Sequence, residues 1–280
     1  MVMNMKYQLL YKDFKRKAVT FSFDDGTFQD IEMVNMLNQL NLKATFNLNS
    51  ALMNENGTFI IDDWLVNYRL DLKIAMKIYK NHEIAGHGLH HYDLCKLDEE
   101  TLKKEILEDI SNLSKSFQTK IDGFAYPYGS FNEKVIQILK QNNILYARSV
   151  QSSFNFLVPQ NFYIYGGTCD ISNPKLSSLI RKWNNYNSSE LGLFYIWGHS
   201  YELDMFHEHE VVFDHLKMIA NKEDCWYATN SEVFSYLTQA KKLTYIKKTK
   251  CLINHSNISL YLLINGKNVL LKKGEKFFIE

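Results

Sequence analysis

Strand-like and helix-like stretches alternate along residues 17–240, and this alternation constrains the fold more than any other feature of the chain. Lys17 to Phe23 is a β-branched and aromatic run that reads as a strand, and it ends in the turn signal Asp24-Asp25-Gly26. Apolar residues at Ile31, Met33, Val34, Met36, Leu37 and Leu40 then mark a helix over 28–40. A second strand follows at Lys43 to Leu48. Further helices are expected over 71–79, 98–117, 132–141, 174–183, 209–220 and 232–240, and further strands over 82–85, 123–126, 144–149, 191–197 and 226–229. Asp98 with Glu99 and Glu100 behind it is a strong helix start, because carboxylates suit the unpaired N–H groups of a first turn. Repeated strand–helix units predict a parallel sheet under helices. Seven or so such units in about 240 residues predict a distorted (β/α) barrel of about seven strands.

The pattern changes beyond residue 240. LTYI, NISLYLLI, NVLLKK and KFFI are short strand-like runs, and Asn265-Gly266 between two of them is a hairpin signal. The expected division is a (β/α) barrel over 1–240 and a small antiparallel β appendage over 241–280, read as edge cover for the barrel in preference to a substrate-binding module. The lysines between Lys241 and Lys250 read as a solvated linker or strand face rather than a nucleic-acid patch. The polar stretch Asn54 to Thr58 reads as a loop, inside an insertion from Asn49 to Tyr79 expected to shape a substrate groove.

Composition excludes some classes. A net charge of +1 over 280 residues offers no global polyanion-binding surface, so nucleic acid is not an expected partner. Cys95, Cys169, Cys225 and Cys251 are scattered without a C-x-x-C pair, which predicts free thiols rather than a zinc knuckle or redox motif. No run of 18 apolar residues predicts a transmembrane helix. The first residues lack an apolar signal-peptide core, so as the sequence stands a cytoplasmic protein is expected; a secreted chain trimmed of its leader would read the same way.

Three groups of chemistry-bearing residues follow strands, where the active sites of (β/α) barrels are built. Asp24-Asp25-Gly26 sets two carboxylates side by side where the strand turns, and two neighbouring anions call for a cation or proton nearby. Taken alone, it is a common solvated turn. His87 and His91 are four residues apart, a spacing that lets two imidazoles chelate one ion, with His90 as an extra imidazole that could face solvent. Trp197-Gly198-His199 puts a histidine at the end of an apolar strand, which suits an acid/base role, although an isolated histidine there is more often packed. His207 and His209 form a weaker pair, expected at the surface.

Together these motifs resemble the polysaccharide deacetylases of the NodB-homology type, carbohydrate esterase family 4. The resemblance rests on TFSFDDG at 20–26, EIAGHGLHHYDL at 83–94, FAYPYG at 124–129 and LFYIWGHS at 193–200, and spans roughly residues 17–240. It implies that Asp24 is the general base, that Asp25, His87 and His91 hold a divalent metal, and that His199 is the general acid. It also implies that the Tyr128 N–H helps to hold the oxyanion. Zinc is the first expectation for the metal, with cobalt, nickel or manganese as alternatives. Tyr126, Trp197, Trp226 and Asp170 are candidates for the substrate pocket, Asp170 as a residue that orients His199. Two positions depart from the family pattern. Ala125 stands where an arginine often pairs with the base, so the base must be oriented otherwise or activity is reduced. Gly88 replaces a serine or threonine that would supply a supporting hydrogen bond.

The function this implies is hydrolysis of an acetyl group, N-acetyl before O-acetyl, from a polysaccharide, a peptidoglycan-type glycan or an oligosaccharide. An acetylated carbohydrate is the expected partner, with oligomeric state left open. The alternatives are a hydrolase of another linear amide and a carbohydrate-binding pseudoenzyme.

Overall fold

The structure is a computed structural model and describes residues 7–53, 58–61 and 63–279. Strand β1 (Tyr7–Leu10) comes first, and the central strand β2 (Lys17–Asp24) is buried along its whole length. Its two faces do different work. Val19, Phe21 and Phe23 point outward into the apolar layer beneath the helices. Thr20, Ser22 and Asp24 point to the other side, toward the barrel interior, where all three are buried. Helix α1 (Asp30–Gln39) returns the chain to β3 (Ala44–Leu48), which pairs in parallel with the second half of β2.

Of the loop expected over Asn54 to Thr58, residues 54–57 lie outside the described residues, and Thr58 opens a strand instead. The rest of that insertion forms a hairpin of β4 (Thr58–Ile61) and β5 (Leu65–Tyr68) that the sequence reading missed. The chain then runs through α2 (Leu72–Ile78), β6 (Glu83–Gly86) and the long helix α3 (Glu99–Phe117), whose N-cap Asp98 accepts from the N–H groups of Glu100 and Thr101 as expected. Next come β7 (Gly123–Ala125), α4 (Glu133–Gln141), β8 (Tyr146–Arg148), the two-residue β9 (Cys169–Asp170), α5 (Leu176–Asn184) and β10 (Gly192–His199). Helices α6 (Glu202–Phe206) and α7 (His209–Ile219) lead to β11 (Cys225–Tyr227) and α8 (Asn230–Ala240), which starts in a capping box of Thr229 and Glu232.

The sheet order is β8-β7-β6-β3-β2-β10-β9, and β11 takes the first half of β2 beside Lys17–Val19. Seven strands on one path, with helices over them, make the distorted (β/α) barrel the alternation predicted. Closure is irregular. Tyr165 forms a parallel bridge to Arg148, and the Thr168 N–H donates to the Tyr195 carbonyl, so segment 162–170 spans the gap between β8 and β10.

The tail is a small two-layer body. β12 (Leu243–Ile246), β13 (Cys251–Asn254) and β16 (Lys276–Phe278) form one sheet. β14 (Leu260–Ile264) and β15 (Lys267–Leu271) form the other, joined by Asn265-Gly266 with both residues in the left-handed region, and β1 completes it. Leu252, Leu262, Ile264, Leu271 and Ile279 fill the space between the sheets. Cys169, Cys225 and Cys251 are buried free thiols, and Cys95 is an exposed one.

Candidate active site

Sheet register decides which side chains meet. Asp24, the last residue of β2, lies directly opposite His199 of β10 on one side and Asn47 of β3 on the other. Three residues from three segments of the chain thus form one row across the carboxyl ends of adjacent strands.

The two adjacent aspartates are divided by a change of backbone direction. Asp24 keeps strand geometry and stays inside, whereas Asp25 adopts a positive φ of 78° that turns its carboxylate toward the loop after β6. There His87 and His91 meet it. The Asp25 oxygen is 4.0 Å from His87 Nε2 and 3.7 Å from His91 Nε2, and one ligand atom from each of the three residues lies within 4.8 Å of the others. The donor set, two imidazoles and a carboxylate, fits a zinc-like ion.

Hydrogen bonds orient these side chains. His87 Nδ1–H donates to the Ala125 carbonyl at 2.8 Å, which leaves the Nε2 lone pair facing Asp25. Burial lowers the pKa of His87, outweighing the pull of Asp24 and Asp25, and burial followed by the His87 charge lowers His91 to about 4. Both rings are therefore neutral near pH 7, the state a ligand needs. The supporting bond expected to be missing at Gly88 is replaced from elsewhere. Asn49 Nδ2 donates to the carbonyls of His87 and Gly88, and Asp109 of α3 accepts from the His87 N–H. His90 is turned away by Glu105, which accepts from both its N–H and its Nδ1.

Around Asp24 the sequence reading is corrected. Ala125 supplies no arginine, but Arg148 does. It sits directly opposite Ala125 in the β7–β8 ladder and forms a buried ion pair with Asp24 Oδ2. Asn47 Nδ2 donates to Asp24 Oδ1 at 2.8 Å. Burial alone would raise the Asp24 pKa; Arg148, then His87 and His199, outweigh it and hold the carboxyl below its ordinary value. Trp197 lies under the Arg148 guanidinium at 4.7 Å and is buried, so it backs the arginine paired with Asp24 rather than lining an open pocket.

His199 Nε2 is 3.9 Å from a carboxylate oxygen of each aspartate. Its Nδ1–H donates to Glu202 at 3.1 Å, and Tyr201 stacks on the ring at 4.7 Å. Burial would lower its pKa, but the Glu202 bond and the Asp24 and Asp25 charges raise it to about 9. The partner expected for His199 was Asp170. That carboxylate instead accepts from the N–H and hydroxyl of Ser172, and Glu202 takes its place.

Two further expectations fail. Trp226 pairs beside Ala18, at the opposite end of β2 from Asp24, and packs on Tyr11 and Tyr236. Tyr126 is buried, with its ring on Phe131 and its hydroxyl bonded to the Tyr163 carbonyl. Tyr128 does reach the site: it adopts a positive φ of 58° and sets its ring 4.7 Å from that of His91. His209 bridges Glu32 and Asp204 at the surface and is not gathered into the three-residue ligand group.

Arg69 was not anticipated at all. It follows the β4–β5 hairpin, forms an antiparallel bridge with Thr27, and donates to the Asp25 carbonyl and, at 3.1 Å, to Asp25 Oδ1. A cleft of about 380 Å³ beside it is lined by Phe59, His91, Tyr92 and Tyr128.

The family model for polysaccharide deacetylase matches residues 11–147. A poly-beta-1,6-N-acetyl-D-glucosamine N-deacetylase of Staphylococcus aureus is 23% identical over 202 residues, covering 67% of each chain. Among solved structures, a candidate polysaccharide deacetylase from Mycobacterium smegmatis is similar over 84% of this chain and 94% of its own, at 16% identity and a TM-score of 0.59. A carbohydrate esterase family 4 pseudoenzyme from Bacillus anthracis is similar over 79% of this chain and 66% of its own, at 16% identity and a TM-score of 0.51. At these identities the structural likenesses speak for the fold alone.

Proposed function

We propose, from the premise that this chain belongs to the polysaccharide deacetylase family over the segment 11–147, that it is a metal-dependent hydrolase of N-acetyl groups on a glucosamine-containing glycan. The observation that carries this reading is the division of the aspartate pair. Asp25 faces His87 and His91, while Asp24 is held apart by Arg148 and Asn47 with its charge intact.

Asp25, His87 and His91 are the residues that would hold the ion, with zinc the first choice for this donor set. When bound there, a divalent ion supplies Lewis acidity, making water more acidic and the acetyl carbonyl more electrophilic. Asp24 is ionised at neutral pH and accepts the proton of the attacking water. His199, protonated below about pH 9, donates from Nε2 to the departing sugar nitrogen. Glu202 holds the proton on Nδ1 and so fixes which nitrogen acts. The Tyr128 N–H is assigned to the oxyanion that develops on the acetyl group.

The N-acetyl preference follows the N-deacetylase named among the relatives. A second reading, a carbohydrate-binding pseudoenzyme, draws support from Arg69, which donates to the Asp25 oxygen nearest both histidines. Acetate release from N-acetylglucosamine oligomers separates the two. Acetate that vanishes with chelator and returns with zinc supports the hydrolase. Bound zinc with no acetate from N- or O-acetylated sugars would leave the pseudoenzyme.

A further inference from the structure

Charge is unevenly distributed along this chain. Residues 241–280 hold nine lysines against two glutamates, a formal +7, so the preceding 240 residues carry the −6 that brings the whole to +1. All nine lysines are exposed. Among the described residues none forms an ion pair; Lys242 reaches only the Gln239 amide, and Lys241 lies over the Phe162 ring.

The β12–β13–β16 sheet organises this charge. Register puts Thr244, Ile253 and Lys276 in one row and Ile246, Cys251 and Phe278 in another, both on the same face. The opposite face, with Tyr245, Leu252 and Phe277, packs into the tail core, so the first face is the outer one. On it Ile246 is 40% exposed and Phe278 is 64% exposed. Lys247, Lys248 and Lys250 follow Ile246 at one end of the sheet. Lys272 and Lys273 stand in the turn before β16 at the other, where the Asn254 side chain donates to the Lys272 carbonyl.

Lysines at the ends of edge strands are a common device against aggregation. That explanation covers the lysines but leaves Ile246 and Phe278, since a face built only to stay in water does not present a phenylalanine among them. Apolar side chains ringed by unneutralised lysines are instead the make-up of a surface that rests on an anionic lipid interface, the apolar groups entering the headgroup region and the lysines meeting lipid charge. No helix among the described residues is long and apolar enough to cross a membrane, so such an attachment is peripheral.

We propose that the outer face of the β12–β13–β16 sheet docks the protein on anionic phospholipid. This replaces the reading of the lysine stretch as a merely solvated strand face, and it stands independently of the proposed catalytic chemistry.

Sedimentation of the full chain with vesicles tests it, using phosphatidylcholine alone and phosphatidylcholine with about a third phosphatidylglycerol. Binding is expected only to the anionic vesicles, and is expected to fade as salt near 0.5 M shortens the screening length to roughly 5 Å or less. Each lysine at such a surface contributes about five-fold in partitioning, so the variant Lys247→Glu/Lys248→Glu/Lys250→Glu should bind on the order of a hundred-fold more weakly. Lys272→Glu/Lys273→Glu tests the other end of the sheet should the first variant fold poorly, with thermal melting as the check on both. Ile246→Ser/Phe278→Ser should also weaken binding, and all variants should release acetate from a soluble substrate as the parent does. Equal binding to neutral vesicles, no binding to either, or binding indifferent to the lysine variants would overturn the proposal. So would tight binding of soluble polyphosphate by a protein whose Ile246→Ser/Phe278→Ser variant is unaffected, which would identify an anionic polymer as the partner instead.

Discussion

The two ends of β2 are equally buried yet built from different chemistry. At Asp24 the chain gathers two aspartates, two arginines and three histidines, whose charged and polar groups face one another across a buried cluster. At Lys17 the surroundings are aromatic: the ammonium lies over Trp183 at 4.9 Å and pairs with Asp224, and Trp226 packs on Tyr11 nearby. The difference teaches that place along a strand, more than residue type, separates reactive from structural side chains. Trp226 looked like a pocket wall and is part of the floor.

Substitutions at the two ends should therefore fail in different ways. The largest effect is expected from Asp24→Asn, which removes the proposed proton acceptor: kcat should fall about 10²–10⁴-fold while bound metal is retained. An active Asp24→Asn protein would remove Asp24 as the base. His87→Ala should lose the metal, read by elemental analysis after dialysis, and unchanged metal content would show that the ligand set lies elsewhere. Arg148→Met strands a buried carboxylate and should lower stability by about 3–5 kcal/mol in denaturant melts, with Asp24 titrating at higher pH. At the other end, Trp226→Ala should cost about 2 kcal/mol, less than a fully buried tryptophan, and leave kcat per folded molecule unchanged. A large loss of kcat there would break the contrast between the two ends.

The subtlest test is the alkaline limb of the pH profile. His199 is charged below its pKa of about 9, so activity should fall as pH rises through that value. Glu202 helps to raise that pKa, and Glu202→Gln should move the fall to lower pH without changing the acid limb. An unmoved limb would assign it to a group other than His199.

What could be read from the sequence was what lies close together in it. Asp24 and Asp25 are neighbours, and His87 and His91 are one helical turn's spacing apart, so their patterns declare themselves. The alternation that gave the barrel is likewise local periodicity. The residues that orient the site come from distant segments: Arg148, Asn47 and Arg69 reach it through strand register and the hairpin. Ala125 seemed to leave the base unpaired because a pattern along one strand does not show which residue stands opposite on the next. A charged residue in the short apolar run ILYARSV was the available signal for Arg148. The hairpin β4–β5 was missed because exposed strands such as Thr58–Ile61 lack the burial that imposes a clean alternation.

Among the described residues β1 pairs with β14 alone, and more than 200 residues of chain separate them. During synthesis the first strand emerges long before its partner exists, so it must wait as a bare edge while the barrel takes shape. The tail strands, made long after β1, then complete both the tail core and the clasp on β1. A truncation that removes β14 and β15 should therefore leave β1 open to strand exchange with other molecules, making the intact carboxyl-terminal sheet a safeguard against aggregation of newly made chains.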